Sequence, residues 1–429
     1  MEKFLITGGN KLKGTVKVGG AKNAALAVMS ASVLSNEVCR IKNIPGISDV
    51  SLVAKILAEI NVKVKMLNKT TIEIDPTRVV QRPVSCDIVR RVRASYYLLG
   101  ALLGRFSKAS VSLPGGCNFG VRPIDQHLKG FARLGANYEI DAGMINVESE
   151  KLSGNNVYFD VVSVGATINI ILASVKAEGL TVLENAAKEP HVVDLANFLN
   201  SMGADIRGAG TDVIKIRGVE YLSGTSYSII PDQIEAGTYM VAAAATGGDV
   251  MVQNVTPKHL EAIKSKLEEM GVTIEEHEES VRVTQDGPLE KCNVKTMPHP
   301  GFPTDMQPQI SALLSLAQGT SIVNEGVWDN RFRYIEELKR MGANISVDGK
   351  IAVIEGVKRL TGTYTKATDL RAGAALVIAG LAASGETTIE NIDHIERGYE
   401  NICQKLLNLG ANIKRINEEN EPINMAKVL

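Results

Sequence analysis

The stretch RMGANISV at residues 340–347 recurs with variation along the chain and decides the fold. Four further copies read RLGANYEI, SMGADIRG, EMGVTIEE and NLGANIKR, and a degenerate sixth, EINVKVKM, surrounds Asn61. The glycines of the five clear copies lie 68, 68, 71 and 68 residues apart, at Gly135, Gly203, Gly271, Gly342 and Gly410. This regular self-similarity predicts six structural repeats.

Each copy is expected to end an amphipathic helix and to begin a strand. In HLEAIKSKLEEM, the apolar residues fall three or four positions apart, which is typical of one face of a helix: Leu260, Ile263, Leu267 and Met270. Glycine reaches positive φ without strain, so it suits the position just after a helix. The repeated glycines therefore mark the point where each helix turns into a strand.

A second kind of helix alternates with the first and is almost wholly small and apolar. Its six copies are NAALAVMSASVL, VRASYYLLGALLG, GATINIILASVKAEG, QIEAGTYMVAAAATGG, DMQPQISALLSLAQG and DLRAGAALVIAGLAASG. A helix without a polar face is expected to be buried on all sides. The pattern predicts an α/β protein in two halves of three repeats, each closed around its own buried helices. A solenoid is the alternative, although solenoid repeats are usually shorter and polar-capped.

Composition excludes several classes of function. The chain has 429 residues and a net charge of −1, so no global charge attracts nucleic acid or an anionic membrane. Its longest apolar run, at 372–383, is too short to span a bilayer, and the N-terminus lacks the apolar core of a signal peptide. The cysteines and histidines show no metal-ligand spacing. We therefore expect a cytoplasmic protein with free thiols, without a metal or a cofactor, and without nucleic acid or membrane as partner.

The residues at the starts of the buried helices indicate an anion site. A helix start carries free N–H groups and a partial positive charge. Helix capping would explain Ser163, Asp232, Asp305 and Asp369. Capping does not explain the cations Lys22, Arg93 and Arg371, because a cation is unfavourable at a helix start. These three cations predict that a bound anion compensates their charge.

One cysteine stands apart from the other four. In SLPGGCNFGVRPID, residues 112–125, Cys117 follows a Pro-Gly-Gly turn and precedes Arg122. A neighbouring cation favours the thiolate, so Cys117 is a candidate reactive thiol. The other cysteines are expected to be packing residues: Cys39, Cys86, Cys292 and Cys403. For His299 and His394, surface or capping roles are favoured over a place in a cleft.

A series of motifs resembles the UDP-N-acetylglucosamine enolpyruvyl transferases of the EPSP synthase-like superfamily. They occur in family order as far as about Arg415: GGAKNAAL, VRAS, LPGGCNFGVRPID, SVGAT, NAAKEP, HPGFPTDMQ, NRF, ATDLRA and DHIERGYE. The resemblance implies two similar inside-out α/β barrel-like domains, each of three βαβαββ-type repeats, with an active-site cleft between them. It places one domain at 22–229 and the other at 1–21 together with 230–429.

The resemblance also implies the reaction. The family moves the enolpyruvyl group of phosphoenolpyruvate to the 3-hydroxyl of UDP-N-acetylglucosamine and releases phosphate, which is the first committed step of peptidoglycan synthesis. Cys117 is implied as proton donor, covalent phosphoenolpyruvate adduct site and target of the inhibitor fosfomycin, on a loop that closes as a lid. Asp305 is implied as the base. The implied phosphoenolpyruvate-binding residues are Lys22, Asn23, Arg122, Arg371 and Arg397, and Lys22 and Arg397 are implied as catalytic residues as well.

A larger set is implied for the nucleotide sugar. It comprises Arg93, Arg122, Pro123, Ile124, Asp125, Gln126, Ser163, Val164, Gly165, Asp305 and Val327. Supporting roles are implied for Asp49, Glu189, Arg331 and Asp369. Two positions depart from the family, which often has arginine in place of Gln233 and lysine in place of Val161. Both departures remove positive charge and hint at a divergent second copy of the enzyme.

Three other functions compete with this one. A shikimate-pathway enolpyruvyl transferase shares fold and donor but lacks the motif around Cys117. A catalytically weak paralogue that only binds UDP-N-acetylglucosamine would be favoured by loss of Cys117, Asp305 or Lys22, and all three are present. A purely structural repeat protein leaves the cations at the helix starts unexplained. Nothing in the sequence indicates a particular protein partner.

Overall fold

A computed structural model describes residues 2–85, 89, 93–113 and 124–417, with the backbone alone at Arg93. The described residues form two compact units. The discontinuous unit takes its residues from both ends of the chain, up to Gly19 and from Pro231 onward. The continuous unit takes its residues from between Gly20 and Ile230.

The discontinuous unit contains three four-stranded sheets. In spatial order, the first consists of Tyr364–Lys366, Glu386–Glu390, Lys3–Thr7 and Asn412–Ile416. The second consists of Thr273–Glu276, Ser280–Thr284, Asp249–Gln253 and Lys13–Lys17. The third consists of Val294–Lys295, Thr320–Asn324, Ile351–Glu355 and Asn344–Asp348. Each sheet has one parallel pair and two antiparallel pairs, which makes the three sheets copies of one pattern.

The continuous unit repeats this pattern. Its first sheet consists of Ser226–Ser228, Cys39–Lys42, Thr71–Asp75 and Lys63–Asn68. Its second consists of Asp205–Arg207, Val213–Arg217, Leu180–Glu184 and Asn156–Tyr158. Its third consists of Lys108–Ser112, Met144–Glu148 and Asn137–Asp141, and a single parallel bridge from Val84 to Val111 takes the place of a fourth strand.

Six helices lie inside the two units, as the apolar stretches predict. They are Lys22–Ala31, Tyr97–Phe106, Val164–Ser174, Gln233–Ala245, Gln307–Leu314 and Leu370–Ala382. Small residues let these helices approach closely. A Cβ added at Gly100 would lie 2.3 Å from the carbonyl oxygen of Asn169, so helix Tyr97–Phe106 can pack this tightly on helix Val164–Ser174 only with glycine there. Each unit has its own apolar core built around three of the six helices.

Six amphipathic helices alternate with the buried ones. They are Ser48–Glu59, Asp125–Arg133, Pro190–Ser201, Glu261–Glu269, Ile335–Arg340 and Ile402–Asn408. Short helical turns complete the described secondary structure at Ser32–Leu34, Arg93–Tyr96, Pro257–His259, Thr304–Met306 and Asp393–Glu396.

The repeated glycines have the predicted backbone conformation. Their φ angles are 86°, 104°, 85°, 93° and 87° at Gly135, Gly203, Gly271, Gly342 and Gly410. Asn61, in the degenerate sixth copy, adopts the same left-handed region with φ 62°. Asparagine tolerates this region better than other non-glycine residues, which explains how the sixth copy keeps the turn. The prediction of six repeats is therefore confirmed in the described residues.

Candidate active site

Lys22 begins a buried helix in the continuous unit and is itself buried. The residue before it, Ala21, offers the helix no side-chain cap. Nζ of Lys22 lies 2.7 Å from a carboxylate oxygen of Asp49, which is in the first turn of helix Ser48–Glu59 and is 2% exposed. The carboxylate of Asp49 thus offsets the unfavourable charge of Lys22 from within the chain. Asn23 follows Lys22 and is partly exposed.

The discontinuous unit holds a cluster of one carboxylate and two arginines. Oδ1 of Asp305 lies 3.3 Å from Nη2 of Arg331, and Oδ2 lies 3.2 Å from Nε and 3.1 Å from Nη2 of Arg371. The side chains of Arg331 and Arg371 are 4% and 5% exposed, whereas the side chain of Asp305 is 33% exposed. Two buried cations therefore lie against a carboxylate that is partly exposed to solvent. An accessible carboxylate is a candidate proton acceptor.

The interpretation of Asp305 as a helix cap is wrong. Asp305 lies inside the short turn Thr304–Met306, and Met306 occupies the cap position of the helix that follows. The carboxylate of Asp305 binds Arg331 and Arg371, which lie elsewhere in the chain. The sequence could not separate these two roles, because aspartate suits both a helix start and an arginine pair.

The other three capping predictions are confirmed. The carboxylate of Asp232 accepts from the N–H groups of Ile234 and Glu235 at 2.8 and 3.0 Å. The carboxylate of Asp369 accepts from the N–H groups of the next helix at 2.9 and 3.2 Å. The hydroxyl of Ser163 accepts from the N–H of Ala166 at 3.3 Å. These contacts fix the starts of three buried helices.

Two parts of the predicted nucleotide-sugar set lie close together in the continuous unit. Ile124 is the cap residue of helix Asp125–Arg133, and Gln126 follows in its first turn. The amide of Gln126 donates to the carboxylate of Asp160 at 3.1 Å and accepts from the backbone N–H of Asp160 at 2.9 Å. Asp160 is three residues before Ser163, so Gln126 ties its helix to the segment that leads into Val164 and Gly165.

His127 belongs to the same region and was missed by sequence reasoning. A Cβ added at Gly165 would lie 3.1 Å from Cε1 and Nε2 of the His127 ring, so the imidazole lies against the backbone of that helix start. Oδ1 of Asn169 accepts from the N–H of Gly100 at 2.8 Å, and the amide nitrogen of Asn169 therefore faces Nδ1 of His127 at 2.9 Å. Burial lowers the pKa of His127 to about 4. The ring is neutral, with its proton on Nε2.

A second missed residue, Glu325, links Val327 to the base cluster. The carboxylate of Glu325 accepts from the backbone N–H of Val327 at 2.9 Å and from the hydroxyl of Thr304 at 3.0 Å. Thr304 directly precedes Asp305, so Glu325 holds Val327 near that residue. Glu325 is 1% exposed, and a buried carboxylate was not distinguishable from a surface one in the sequence.

Several predicted site residues remain predictions. Cys117, Arg122 and Pro123 lie outside the described residues, as does Cys86. The backbone of Arg93 begins a short turn that leads into helix Tyr97–Phe106. Glu189 is the cap residue of helix Pro190–Ser201, and Arg397 follows the short helix Asp393–Glu396.

The remaining cysteines behave as packing residues where they are described. Cys39, Cys292 and Cys403 are buried, and burial raises the pKa of Cys292 to about 12 and that of Cys403 to about 11. Within the ranges that the structure covers, no cluster of three His, Cys, Asp or Glu side chains could hold a metal ion. In the same ranges, none of the helices is both long and apolar enough to cross a membrane.

A match along most of the chain shows the class of protein. Residues 6–406 match the family described as EPSP synthase (3-phosphoshikimate 1-carboxyvinyltransferase), so the chain belongs to this family of carboxyvinyl transferases and is a transferase. The predicted α/β fold of this superfamily is thereby confirmed.

More specific relatives act on a nucleotide sugar. The UDP-N-acetylglucosamine 1-carboxyvinyltransferase of Clostridium botulinum is 57% identical over 417 residues, which cover 97% of this chain and 100% of the relative. UDP-N-acetylglucosamine 1-carboxyvinyltransferase 3 of Caldanaerobacter subterraneus subsp. tengcongensis is 58% identical over 418 residues, with coverages of 97% and 100%.

Solved structures agree with this assignment of the fold. The enolpyruvyl transferase NikO from Streptomyces tendae superposes with a TM-score of 0.88 at 27% identity, covering 96% of this chain and 98% of NikO. EPSP synthase from Acinetobacter baumannii has a TM-score of 0.76 at 19% identity, covering 97% of this chain and 100% of that enzyme. The latter likeness concerns the fold alone.

Proposed function

We propose that this chain transfers the enolpyruvyl group of phosphoenolpyruvate to the 3-hydroxyl of UDP-N-acetylglucosamine, with release of phosphate, in the first committed step of peptidoglycan synthesis. The observation that carries this proposal is identity of 57% and 58% to two UDP-N-acetylglucosamine 1-carboxyvinyltransferases over 97% of the chain. The likeness to a shikimate-pathway enzyme is limited to the fold at 19% identity, which makes that alternative weaker.

The first half of the chemistry needs a proton acceptor and a proton donor, and of these the structure describes only the proposed acceptor, Asp305. The sugar hydroxyl must lose a proton as its oxygen attacks the central carbon of phosphoenolpyruvate, while the methylene carbon gains a proton. Asp305 is the proton acceptor in this scheme, because its partly exposed carboxylate is held in place by Arg331 and Arg371. Cys117 is the proton donor. In the second half, the carbon that gained a proton gives one up again as phosphate leaves. The double bond is thereby restored.

Binding of the donor requires fixed cations. Phosphoenolpyruvate carries a phosphate and a carboxylate, and charge-assisted hydrogen bonds from lysine and arginine suit both. Lys22 and Asn23 in the continuous unit and Arg371 and Arg397 in the discontinuous unit are the described members of the proposed set. The proposal also includes the cytoplasm as location, fosfomycin as inhibitor, and the two units as the domains expected at 22–229 and at 1–21 with 230–429.

Phosphate release from phosphoenolpyruvate tests the proposal directly. UDP-N-acetylglucosamine and shikimate 3-phosphate are compared as acceptors with the purified full chain. Release with the nucleotide sugar alone supports the function. Release with shikimate 3-phosphate contradicts it, and binding of UDP-N-acetylglucosamine without release indicates the inactive paralogue.

A lysine pair tests the donor site in the same assay. Lys22→Ala removes a buried cation, and turnover should fall about 10- to 150-fold because a charge-assisted contact contributes about 1.5–3 kcal/mol. Lys42→Ala is the matched control, since Lys42 is exposed on strand Cys39–Lys42 of the same unit. Equal activity of the two variants would remove Lys22 from the donor site.

A further inference from the structure

Tyr399 lies against the guanidinium group that holds Asp305. Cζ of Arg371 is 5.5 Å from the centroid of the Tyr399 ring, and the tyrosine is 1% exposed. Nε and Nη2 of Arg371 are occupied by Asp305, while Nη1 has no hydrogen-bond partner among the described residues. The aromatic ring is therefore a principal contact that limits where this buried cation can lie.

The hydroxyl of Tyr399 is held in one orientation by two helices. The hydroxyl of Thr238 donates to the carbonyl of Ile234 at 2.7 Å, so it can only accept from Tyr399 at 3.0 Å. The amide nitrogen of Gln309 lies 3.2 Å from the same tyrosine oxygen, to which it donates. Tyr399 consequently donates to helix Gln233–Ala245 and accepts from helix Gln307–Leu314.

Two structural links connect Tyr399 to Asp305. Helix Gln307–Leu314, which carries Gln309, begins two residues after Asp305. Arg371, which contacts the tyrosine ring, binds the Asp305 carboxylate with two nitrogens. Burial raises the pKa of Tyr399, so its hydroxyl stays neutral and acts as a hydrogen-bonding group only.

We infer that Tyr399 is a positioning residue for the proton-acceptor site. Its hydroxyl, anchored by Thr238 and Gln309, fixes the ring against Arg371, and Arg371 in turn fixes the carboxylate of Asp305. Tyr399 touches neither substrate in this scheme. Because Asp305 is a proton acceptor only under the function proposed above, the role of Tyr399 rests on that function.

Tyr399→Phe tests the role by removing the hydroxyl and keeping the ring. We expect kcat to fall about tenfold or more, because small displacements of a reacting group cost at least that much. The KM for UDP-N-acetylglucosamine should stay within about twofold, since only transition-state geometry is altered. Tyr239→Phe is the control. Tyr239 is equally buried, and its hydroxyl has no hydrogen-bond partner in the described part of the chain, so its kcat should be unchanged.

A second pair of variants keeps the test valid if Tyr399→Phe fails to fold. Thr238→Val removes the acceptor of the tyrosine hydroxyl, whereas Thr238→Ser retains it. The valine variant should show the loss of kcat and the serine variant should not. Equal kcat in this pair, or normal kcat in Tyr399→Phe, would overturn the inference. Failure of the wild-type chain to release phosphate with UDP-N-acetylglucosamine would instead overturn the proposed function.

Discussion

The carboxylate of Asp49 lies 2.7 Å from the ammonium group of Lys22, and both side chains are largely buried. The two residues belong to successive helices, Lys22–Ala31 and Ser48–Glu59. A buried ion pair of this kind holds the lysine at the helix start before any ligand arrives. Phosphoenolpyruvate would then meet a cation whose position is already fixed.

Replacement of Asp49 by asparagine should therefore destabilise the chain. Asp49→Asn keeps the shape but removes the negative charge beside Lys22, and loss of one partner of a buried pair costs about 3 kcal/mol. Urea unfolding measures the effect. The control is Glu148→Gln, which breaks the exposed pair with Lys108 in the same unit and should cost below about 1 kcal/mol. Equal losses would show that the Lys22 pair has no special importance.

Replacement of Asp305 by asparagine should remove the proton acceptor. Turnover should fall by roughly 10²–10⁴, the usual contribution of a general base, while UDP-N-acetylglucosamine binding measured by calorimetry changes little. Asp249→Asn is the matched control, because Asp249 also forms a two-nitrogen pair with an arginine, Arg282, at 2.9 Å and is partly exposed. Normal turnover in Asp305→Asn would mean that another residue is the base. Asp369 would then be the next candidate.

Fosfomycin should add once, at Cys117. Burial raises the pKa of Cys292 to about 12 and that of Cys403 to about 11, so these thiols stay protonated and unreactive. Mass spectrometry of the treated chain locates the adduct. An adduct on a buried cysteine would contradict the assignment of Cys117.

Two substitutions separate the roles of Cys117. Cys117→Asp keeps an acid without the nucleophilic sulfur, and it should retain substantial turnover while resisting fosfomycin. Cys117→Ser is a far weaker acid, so it should lose most turnover and still bind the nucleotide sugar. Normal turnover in the serine variant would return Cys117 to a packing role.

Stability should depend on pH through Asp194. Burial raises the pKa of this carboxyl to about 6, although it accepts from the hydroxyl of Tyr227 at 2.6 Å. A raised folded-state pKa favours the folded chain at low pH, and this contribution is lost as the pH rises through 6. Relative to Asp194→Asn, the wild-type chain should lose about 3 kcal/mol of unfolding free energy between about pH 4 and pH 7.

The control for this prediction has the opposite sign. Hydrogen bonds from Lys129 and Gln126 lower the pKa of Asp160, so its contribution is lost as the pH falls. Relative to Asp160→Asn, the wild-type chain should therefore gain stability as the pH rises. Parallel pH dependence of the two comparisons would contradict the assigned pKa shifts.

Local patterns made most of the fold predictable. The six helix ends, at Asn61 and at the five glycines, were predictable from the periodic spacing of apolar residues and from the need for a positive φ after each helix. Both are properties of short segments. Ion pairs between residues that are distant in the sequence were harder to predict. Neither the contact of Lys22 with Asp49 nor that of Asp305 with Arg331 has a local signature, because each partner alone is an ordinary charged residue.

The missed residues share one physical reason. His127, Glu325 and Tyr399 act through burial and hydrogen-bond direction, which depend on neighbours distant in sequence. His127 follows Gln126, Glu325 lies two residues before Val327, and Tyr399 lies within the motif DHIERGYE. Position in the sequence alone does not separate a buried functional group from a solvated one. The charged residues of the site were thus predictable from the sequence. The buried residues that orient them were much less so.

The two-segment make-up of the discontinuous unit has a consequence for synthesis on the ribosome. Strand Lys13–Lys17 pairs with Asp249–Gln253, and strand Lys3–Thr7 pairs with Glu386–Glu390 and Asn412–Ile416. Both early strands leave the exit tunnel long before their partners are translated, whereas every partner needed by the continuous unit lies within one stretch. The continuous unit can therefore fold first, and the leading strands must wait unpaired, as edges open to a chaperone or to a neighbouring nascent chain.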